Sequence, residues 1–269
     1  MSIKSSLEGI VPEEALKYLS GHFEVTGDIA LIQIPPECLP YREEIADKIM
    51  SLRKDVITVI QKTSPLKGEN RVGCLELIKG VKKTETIHKE AGYLYKTDLS
   101  KVFFTPKLSY ERMRIASQIR PNERIIVPFC GAGPFAIPAA DKGLNVVGVE
   151  KNPDACRYFR ENLKLNGLQD KGDVICGDAL FMSDLFSENE YFSRAVIPTA
   201  YGMDEALFKT APLVKKGGII HFYTFKTMEE IAEFICKFEK SGLKTHFYRR
   251  CGNIAPGVYR FVFDLLKEE

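Results

Sequence analysis

The chain has 269 residues, 45% hydrophobic and 28% charged, with a formal net charge of +2, an ordinary globular make-up with room for one large or two unequal domains. No apolar run approaches the roughly 20 residues that a membrane-spanning helix needs, and the first residues, Met1 to Glu8, carry no signal-peptide core. Seven cysteines without a Cys-x-x-Cys pair, and His22, His88, His221 and His246 without ligand spacing, argue for reduced thiols in a cytoplasm and against a disulfide frame or a metal site.

Charge is unevenly spread. Residues 1–61 hold 6 Lys/Arg against 10 Asp/Glu, residues 62–114 hold 12 against 6, and the remainder balances at 20 against 20. The basic middle segment reads either as a solvated face or as a phosphate-contacting patch. Val11 to Ser20 reads as a short helix with Pro12 in its first turn. Phe23 to Ile34 has the period-two pattern of a hairpin turning near Gly27-Asp28, and Pro35-Pro36 ends it. Tyr41 to Leu52 is an amphipathic helix with Ile45, Ile49 and Leu52 on one face. Val56–Ile60 and Leu75–Ile78 read as strands around a polar loop, Ser64 to Arg71. Ser109 to Gln118 is a helix with Ser109 as candidate cap. The expected organisation is a helical segment over 1–22, a small α/β domain over 23–95 and a larger domain over 96–269.

From residue 124 strand and helix alternate: 124–129 then 135–141, 145–150 then Pro153 to Asn166, then strands 173–176, 194–198 and 217–223, a helix over 227–241, and strands 244–249 and 258–265. Strands spaced by helices mean a parallel sheet with crossovers. The short link Cys251 to Gly257 suits a hairpin, which leaves the final strand antiparallel. Within this region Val127 to Ala136 reads as a buried strand, a glycine turn and a helix start. Gly131 and Gly133 let the backbone lie against a ligand, and the helix that follows presents unpaired N–H groups. The next strand ends in Glu150, 19 residues beyond Gly131, where a doubly wound sheet holds a carboxylate for ribose hydroxyls. The expectation is an adenosine-containing cofactor, the plain alternative a tight turn. A nicotinamide dehydrogenase shares the glycines and the acid. Three features point elsewhere: a helix directly after Glu150-Lys151-Asn152-Pro153, a second acid at Cys176-Gly177-Asp178-Ala179, and the C-terminal hairpin.

Together these resemble the class I S-adenosylmethionine-dependent methyltransferases. More narrowly, the chain is similar to the archaeal and eukaryotic tRNA guanine N1-methyltransferases and their wybutosine-pathway aminocarboxypropyl-transferase relatives. The resemblance spans roughly residues 24–269. It rests on Gly27-Asp28-Ile29-Ala30, Thr86-Ile87-His88-Lys89-Glu90, Phe104 to Arg112, Gly131 to Phe135, Asn152-Pro153, Asn162 to Asn166, Gly217 to Tyr223 and Ala255-Pro256. It implies a Rossmann-like α/β sheet of seven strands, the last antiparallel, with a smaller N-terminal α/β domain that contacts RNA or substrate. It also implies S-adenosylmethionine as cofactor, tRNA as partner, and a cytoplasmic, monomeric, metal-independent enzyme that modifies N1 of the guanosine 3′ to the anticodon, position 37. Aminocarboxypropyl transfer is the alternative. Methyl transfer to a non-tRNA acceptor and a non-catalytic RNA- or cofactor-binding module remain as further readings.

The same resemblance places Phe129, Cys130, Gly131, Ala132, Gly133 and Phe135 at the cofactor's amino-acid end and Glu150 on its ribose. Lys151 and Asn152 flank the adenosine, Asp178 with Ala179 meets the adenine, and Pro198 closes the cofactor edge. For Asp178 the plain alternative is a strand-end or capping acid; Asp154 is read as a helix cap. Methylating N1 of guanine requires removal of its proton while charge grows on O6, which calls for a carboxylate base and a cationic donor. Glu111 matches the base and Arg71 the donor. The alternatives are a Glu111 paired with Arg114 or Lys107 and an Arg71 on phosphate. Lys107 stands where relatives carry arginine, which weakens a forked contact. Arg112 and Arg114 read as RNA-phosphate contacts or surface charges. Guanine N1-methyltransferases carry Asn-Leu-Pro after the fourth strand; here Ile197-Pro198-Thr199 lacks the asparagine, as the aminocarboxypropyl transferases do. Tyr201 is a candidate to stack on a flipped base, or an ordinary strand-end aromatic.

Overall fold

The computed structural model describes residues 3–63, 73–186 and 191–268. Its internal contacts divide it into two compact units, Met1–Lys107 and Leu108–Glu269.

In the first unit, β1 (Glu24–Thr26) and β2 (Ile29–Ile32) form the expected hairpin, with Thr26 opposite Ile29 and Gly27-Asp28 as its turn. Gly27 takes φ +57°, and a Cβ there would lie 2.7 Å from the Ile87 carbonyl oxygen, so the turn admits glycine alone. A one-turn helix α1 (Glu13–Leu16) precedes the hairpin, and α2 (Arg42–Leu52) carries the chain from β2 to its parallel neighbour β3 (Thr58–Lys62). Antiparallel β4 (Leu75–Gly80) completes the sheet, in the order β1-β2-β3-β4, while β5 (Glu85–Glu90) and β6 (Tyr93–Asp98) pair as a separate hairpin. Ile45, Ala46 and Ile49 of α2 share one core with Ala30, Ile32 and Val59 of the sheet and with Ile3, Leu7 and Leu16. Leu52, expected on that buried face, is exposed because it closes the last turn of α2. The helix expected over Val11 to Ser20 is confined to 13–16. Beyond it Tyr18 and Leu19 bond back only three residues, to Ala15 and Leu16.

Two of the motifs behind the family resemblance interlock in this unit. The Asp28 amide donates to Thr86 Oγ1 (3.2 Å), the Thr86 hydroxyl donates to Asp28 Oδ1 (2.7 Å), and the Gly27 amide donates to His88 Nδ1 (3.1 Å). Burial alone would raise the Asp28 carboxyl, but Lys83, 2.5 Å away, and Thr86 together hold it below its ordinary value.

The second unit is a seven-stranded sheet. Helix α3 (Ser109–Ala116) leads into β7 (Arg124–Pro128), α4 (Ala136–Lys142), β8 (Asn145–Glu150), α5 (Pro153–Leu165), β9 (Gly172–Cys176) and β10 (Phe192–Pro198). Then come α6 (Glu205–Thr210), β11 (Val214–Lys226), α7 (Ile231–Glu239), β12 (Leu243–Ala255) and β13 (Val258–Lys267). The strand order is β12-β13-β11-β10-β7-β8-β9. Strands β7 to β11 run parallel, and β13 lies antiparallel between β11 and β12, as the short link predicts. The order reverses between β7 and β10, the position at which open α/β sheets form a ligand crevice beyond the strands' carboxyl ends.

Two local expectations are corrected. Ser109 does not cap α3, whose first turn follows directly on a tight Pro106–Leu108 turn. Asn152, not Asp154, caps α5: its Oδ1 accepts the Asp154 amide (3.0 Å), while Asp154 pairs with Arg157 at 3.1 Å. Helix α6 was not anticipated; six residues show too little periodicity to be read.

Candidate active site

The loop after β7 is shaped by three left-handed residues in five: Phe129 at φ +55°, Gly131 at +55° and Gly133 at +88°. For Phe129 that conformation costs of order 1 kcal/mol, held by its surroundings. The glycines are also a matter of packing. Phe159 of α5 wedges beneath the loop, and a Cβ on Gly133 would collide with its ring. A Cβ on Gly148 would stand 2.6 Å from Cys130 Sγ and 2.7 Å from Phe159 Cε1. Fully buried Asn162 donates from Nδ2 to the Ala132 carbonyl (2.9 Å) and ties the loop to α5. Gly133→Ala therefore combines a disfavoured φ with overpacking. We expect a loss of about 2–5 kcal/mol in urea unfolding, with weakened cofactor binding.

Glu150 ends β8 facing this loop. Its Oε2 accepts the Gly131 amide at 2.9 Å and its Oε1 the Asn152 amide at 2.8 Å. A carboxylate accepts about four hydrogen bonds, so two remain for the hydroxyls of a ribose. Lys151 Nζ lies 3.4 Å from Asp178, whose Oδ1 accepts the Leu180 amide (3.0 Å). The strand-end capping reading of Asp178 thus holds for one oxygen, with Lys151 on the other. Ala179 and Cys130 are buried; burial pushes the Cys130 thiol well up, so it packs as a neutral group. The Cys156 thiol donates to the Glu150 carbonyl at 3.2 Å. Asn152 is buried, and its side-chain oxygen is engaged in capping α5.

Phe135 is buried, its ring 5.3 Å from that of Tyr223 on β11, and Arg112 stands 5.9 Å from the Phe135 centroid. Arg112 is 2% exposed, which removes the surface-charge reading of that residue. Pro198 ends β10 opposite Tyr223, and the Thr199 hydroxyl donates to the Tyr223 carbonyl. Tyr201 is 62% exposed, its ring 5.9 Å from Phe225.

Glu111 is 2% exposed and is the hub of a buried charge network. Its Oε2 accepts from Arg114 Nε (3.0 Å) and from the Tyr223 hydroxyl (3.0 Å); its Oε1 accepts from Arg249 Nε (2.8 Å) and Nη2. Arg114 also makes a forked pair with Asp264 (2.6 and 3.1 Å), so it is an internal structural cation and not a phosphate contact. Asp264 Oδ1 lies 2.6 Å from His221 Nδ1, and His221 Nε2 lies 2.6 Å from Arg194 Nη1. A guanidinium only donates, so Nε2 accepts and the Nδ1 proton goes to Asp264. Burial lowers the His221 pKa, consistent with that neutral tautomer. Arg194 closes the chain on Glu123 at 2.6 Å. Of Glu111's expected partners, Arg114 is present, while Lys107, 69% exposed, pairs instead with Glu24 at 2.5 Å. Arg249, Tyr223, Asp264, His221 and Arg194 were not foreseen. Only the Gly217 to Tyr223 motif hinted at two of them. Arg71 lies outside the described residues.

The site suits S-adenosylmethionine on its own features: a carboxylate with free acceptor capacity at the β8 end, a glycine loop pinned from below, and buried aromatic Phe135. Among the described residues no cluster suits a metal ion, and no helix is long and apolar enough to cross a membrane. Comparison with known proteins shows the family. The family model for the TRM5/TYW2 methyltransferase domain matches residues 86–248, and that for the TYW2 N-terminal domain matches residues 3–84. The tRNA (guanine(37)-N(1))-methyltransferase Trm5b of Pyrococcus abyssi is 34% identical, over 94% of this chain and 77% of its own length. The tRNA 4-demethylwyosine(37)-methyltransferase Taw21 of Saccharolobus solfataricus is 37% identical, over 90% of this chain and 92% of its own. The solved complex of aTrm5 with tRNALeu superimposes with a TM-score of 0.87 at 28% identity, covering 99% of this chain and 78% of that one.

Proposed function

The chain belongs to the TRM5/TYW2 methyltransferase family, and on that premise we propose that it is an S-adenosylmethionine-dependent tRNA methyltransferase acting at N1 of guanosine 37, the nucleotide 3′ to the anticodon. One observation carries the proposal. Phe135 of the cofactor loop touches the Tyr223 ring, and the Tyr223 hydroxyl holds Glu111, so a carboxylate stands one aromatic ring from the cofactor loop.

The cofactor, when bound, supplies an electrophilic methyl group on a sulfonium. Gly131, Ala132 and Gly133 line its amino-acid end with Phe129, Cys130 and Phe135. Glu150 holds its ribose, Lys151, Asn152, Asp178 and Ala179 its adenosine, and Pro198 its edge. Glu111 accepts the N1 proton as general base, and Arg71 supplies the cation for O6. Tyr201 offers an exposed ring for a base to stack on. Glu150→Gln removes the charge from the ribose contact and is expected to weaken S-adenosylhomocysteine binding about 10- to 100-fold by calorimetry. Unchanged affinity would remove Glu150 from the site.

The TYW2-type N-terminal match, the Taw21 relative and Pro198 in place of asparagine favour a second reading. There the acceptor is 4-demethylwyosine at the same position, receiving a methyl or an aminocarboxypropyl group. The test is incubation with S-adenosylmethionine and either unmodified tRNA or tRNA carrying 4-demethylwyosine, followed by mass analysis of the nucleosides. N1-methylguanosine from the first tRNA supports the proposal. A product from the second tRNA alone supports the second reading, and no product from either overturns both.

A further inference from the structure

As it stands, Glu111 has no place for a substrate proton. Two N–H groups of Arg249 meet Oε1, and Arg114 Nε and the Tyr223 hydroxyl meet Oε2, four donors against the about four acceptor positions of a carboxylate. One donor must leave before the base can work, and the three residues differ sharply in what holds them. Tyr223 is 1% exposed on a central strand, with Phe135 against its ring. Arg114 is fixed by two hydrogen bonds to Asp264 and lies over the Phe247 ring at 5.3 Å. Arg249 stands on β12, an edge strand whose residues are mostly exposed, and its side chain is 34% exposed. Its other partner is the ring of Tyr110 at 4.5 Å, itself 66% exposed.

We infer that Arg249 is a displaceable clamp on the catalytic base: it covers Glu111 Oε1 in the free enzyme and swings onto a phosphate of the docking tRNA, uncovering that oxygen when the acceptor is in place. The inference rests on the reading of Glu111 as base, and it names Oε1 as the atom that receives the proton. On transfer the N1–H bond breaks and its proton passes to Oε1. The electron pair left on N1 bonds the methyl carbon as that carbon's bond to the sulfonium sulfur breaks, the broken bond's electron pair staying on sulfur as a neutral thioether. Arg249 is a positioning residue that acts through Glu111. The arrangement ties base exposure to RNA docking, so the carboxylate is open only when an acceptor is present.

Binding of unmodified tRNA, measured by fluorescence anisotropy across a salt series without cofactor, tests the clamp. Arg249→Ala is expected to weaken binding and to reduce the slope of log Kd against log salt by about one, the signature of one lost phosphate contact. Glu111→Gln releases Arg249 and is expected to tighten binding about 2- to 5-fold, the equivalent of a partly exposed ion pair no longer to be broken. In the double variant that gain disappears. Where Arg249→Ala loses the fold, Arg249→Gln keeps part of the aliphatic stem and a polar end without the charge and serves in its place. Unchanged or weaker binding by Glu111→Gln overturns the clamp, as does a gain that survives in the double variant, which marks a general charge effect. Near-normal turnover of Glu111→Gln would instead remove the base itself, so the two failures are separable.

Discussion

Glu111→Gln is expected to lower single-turnover methyl transfer at saturating tRNA by about 10²–10⁴-fold, the usual contribution of a positioned general base, while S-adenosylhomocysteine binding is unchanged. The substitution keeps the side chain's shape and one acceptor oxygen, so Tyr223 retains a partner and the Phe135 contact above the loop is undisturbed. What is lost is the ability to hold the N1 proton as charge develops on the base being methylated. Near-normal turnover would reduce Glu111 to what its surroundings otherwise suggest, a buried anion that fastens α3 to β11 and β12 through Tyr223 and Arg249.

The largest stability effect is expected at Asp264. It lies on β13 between His221 and Arg114, and the three form a buried bridge from β11 to α3. Asp264→Ala leaves the Arg114 guanidinium and the His221 ring proton without their carboxylate. A loss of about 3–5 kcal/mol in urea unfolding at neutral pH follows, as for other buried pairs deprived of one member. The same carboxylate sets a pH dependence. Burial alone would raise its pKa, but hydrogen bonds from His221 and Arg114 outweigh that and hold it well below the carboxylate range. A pKa lowered on folding means the native state binds the proton less tightly than the unfolded chain. The contribution is therefore complete above the unfolded value, about 3.9, and fades as pH falls below it. The stability gap between wild type and Asp264→Ala should close on acidification below that value. A gap that is small at pH 7, or constant down to strongly acid pH, would show that the bridge contributes little.

The core of the second unit was legible because its strands are long, apolar and spaced by helices. Val146 to Glu150, for example, is a short apolar run ending in an acid, and the Cys251 to Gly257 link marked a hairpin, although strand pairing continues through Ala255 and leaves only Pro256 and Gly257 as the turn. The glycine loop and Glu150 were legible because the constraint is local, a tight turn and an acid at the next strand end. The charge network was not. Glu111 and Arg249 are 138 residues apart, and His221 and Asp264 are 43 apart on paired antiparallel strands. A charged residue inside a strand pattern reads as solvent-facing until the register places its partner beside it. The surface-charge reading of Arg112 and Arg114 fails for that reason: on a short helix their spacing shows no face, and only the packing of α3 decides that both are largely buried. Asn162 lay within a quoted motif, yet its task of holding the Ala132 carbonyl depends on how α5 crosses the loop.

A crystal of this protein grown with S-adenosylhomocysteine is the most direct test of the account. The ribose hydroxyls should lie within hydrogen-bonding distance of the Glu150 carboxylate, with the amino-acid end against the backbone of Gly131 to Gly133. A nucleoside bound elsewhere, or this crevice left filled by the protein's own side chains at saturating ligand, would contradict it.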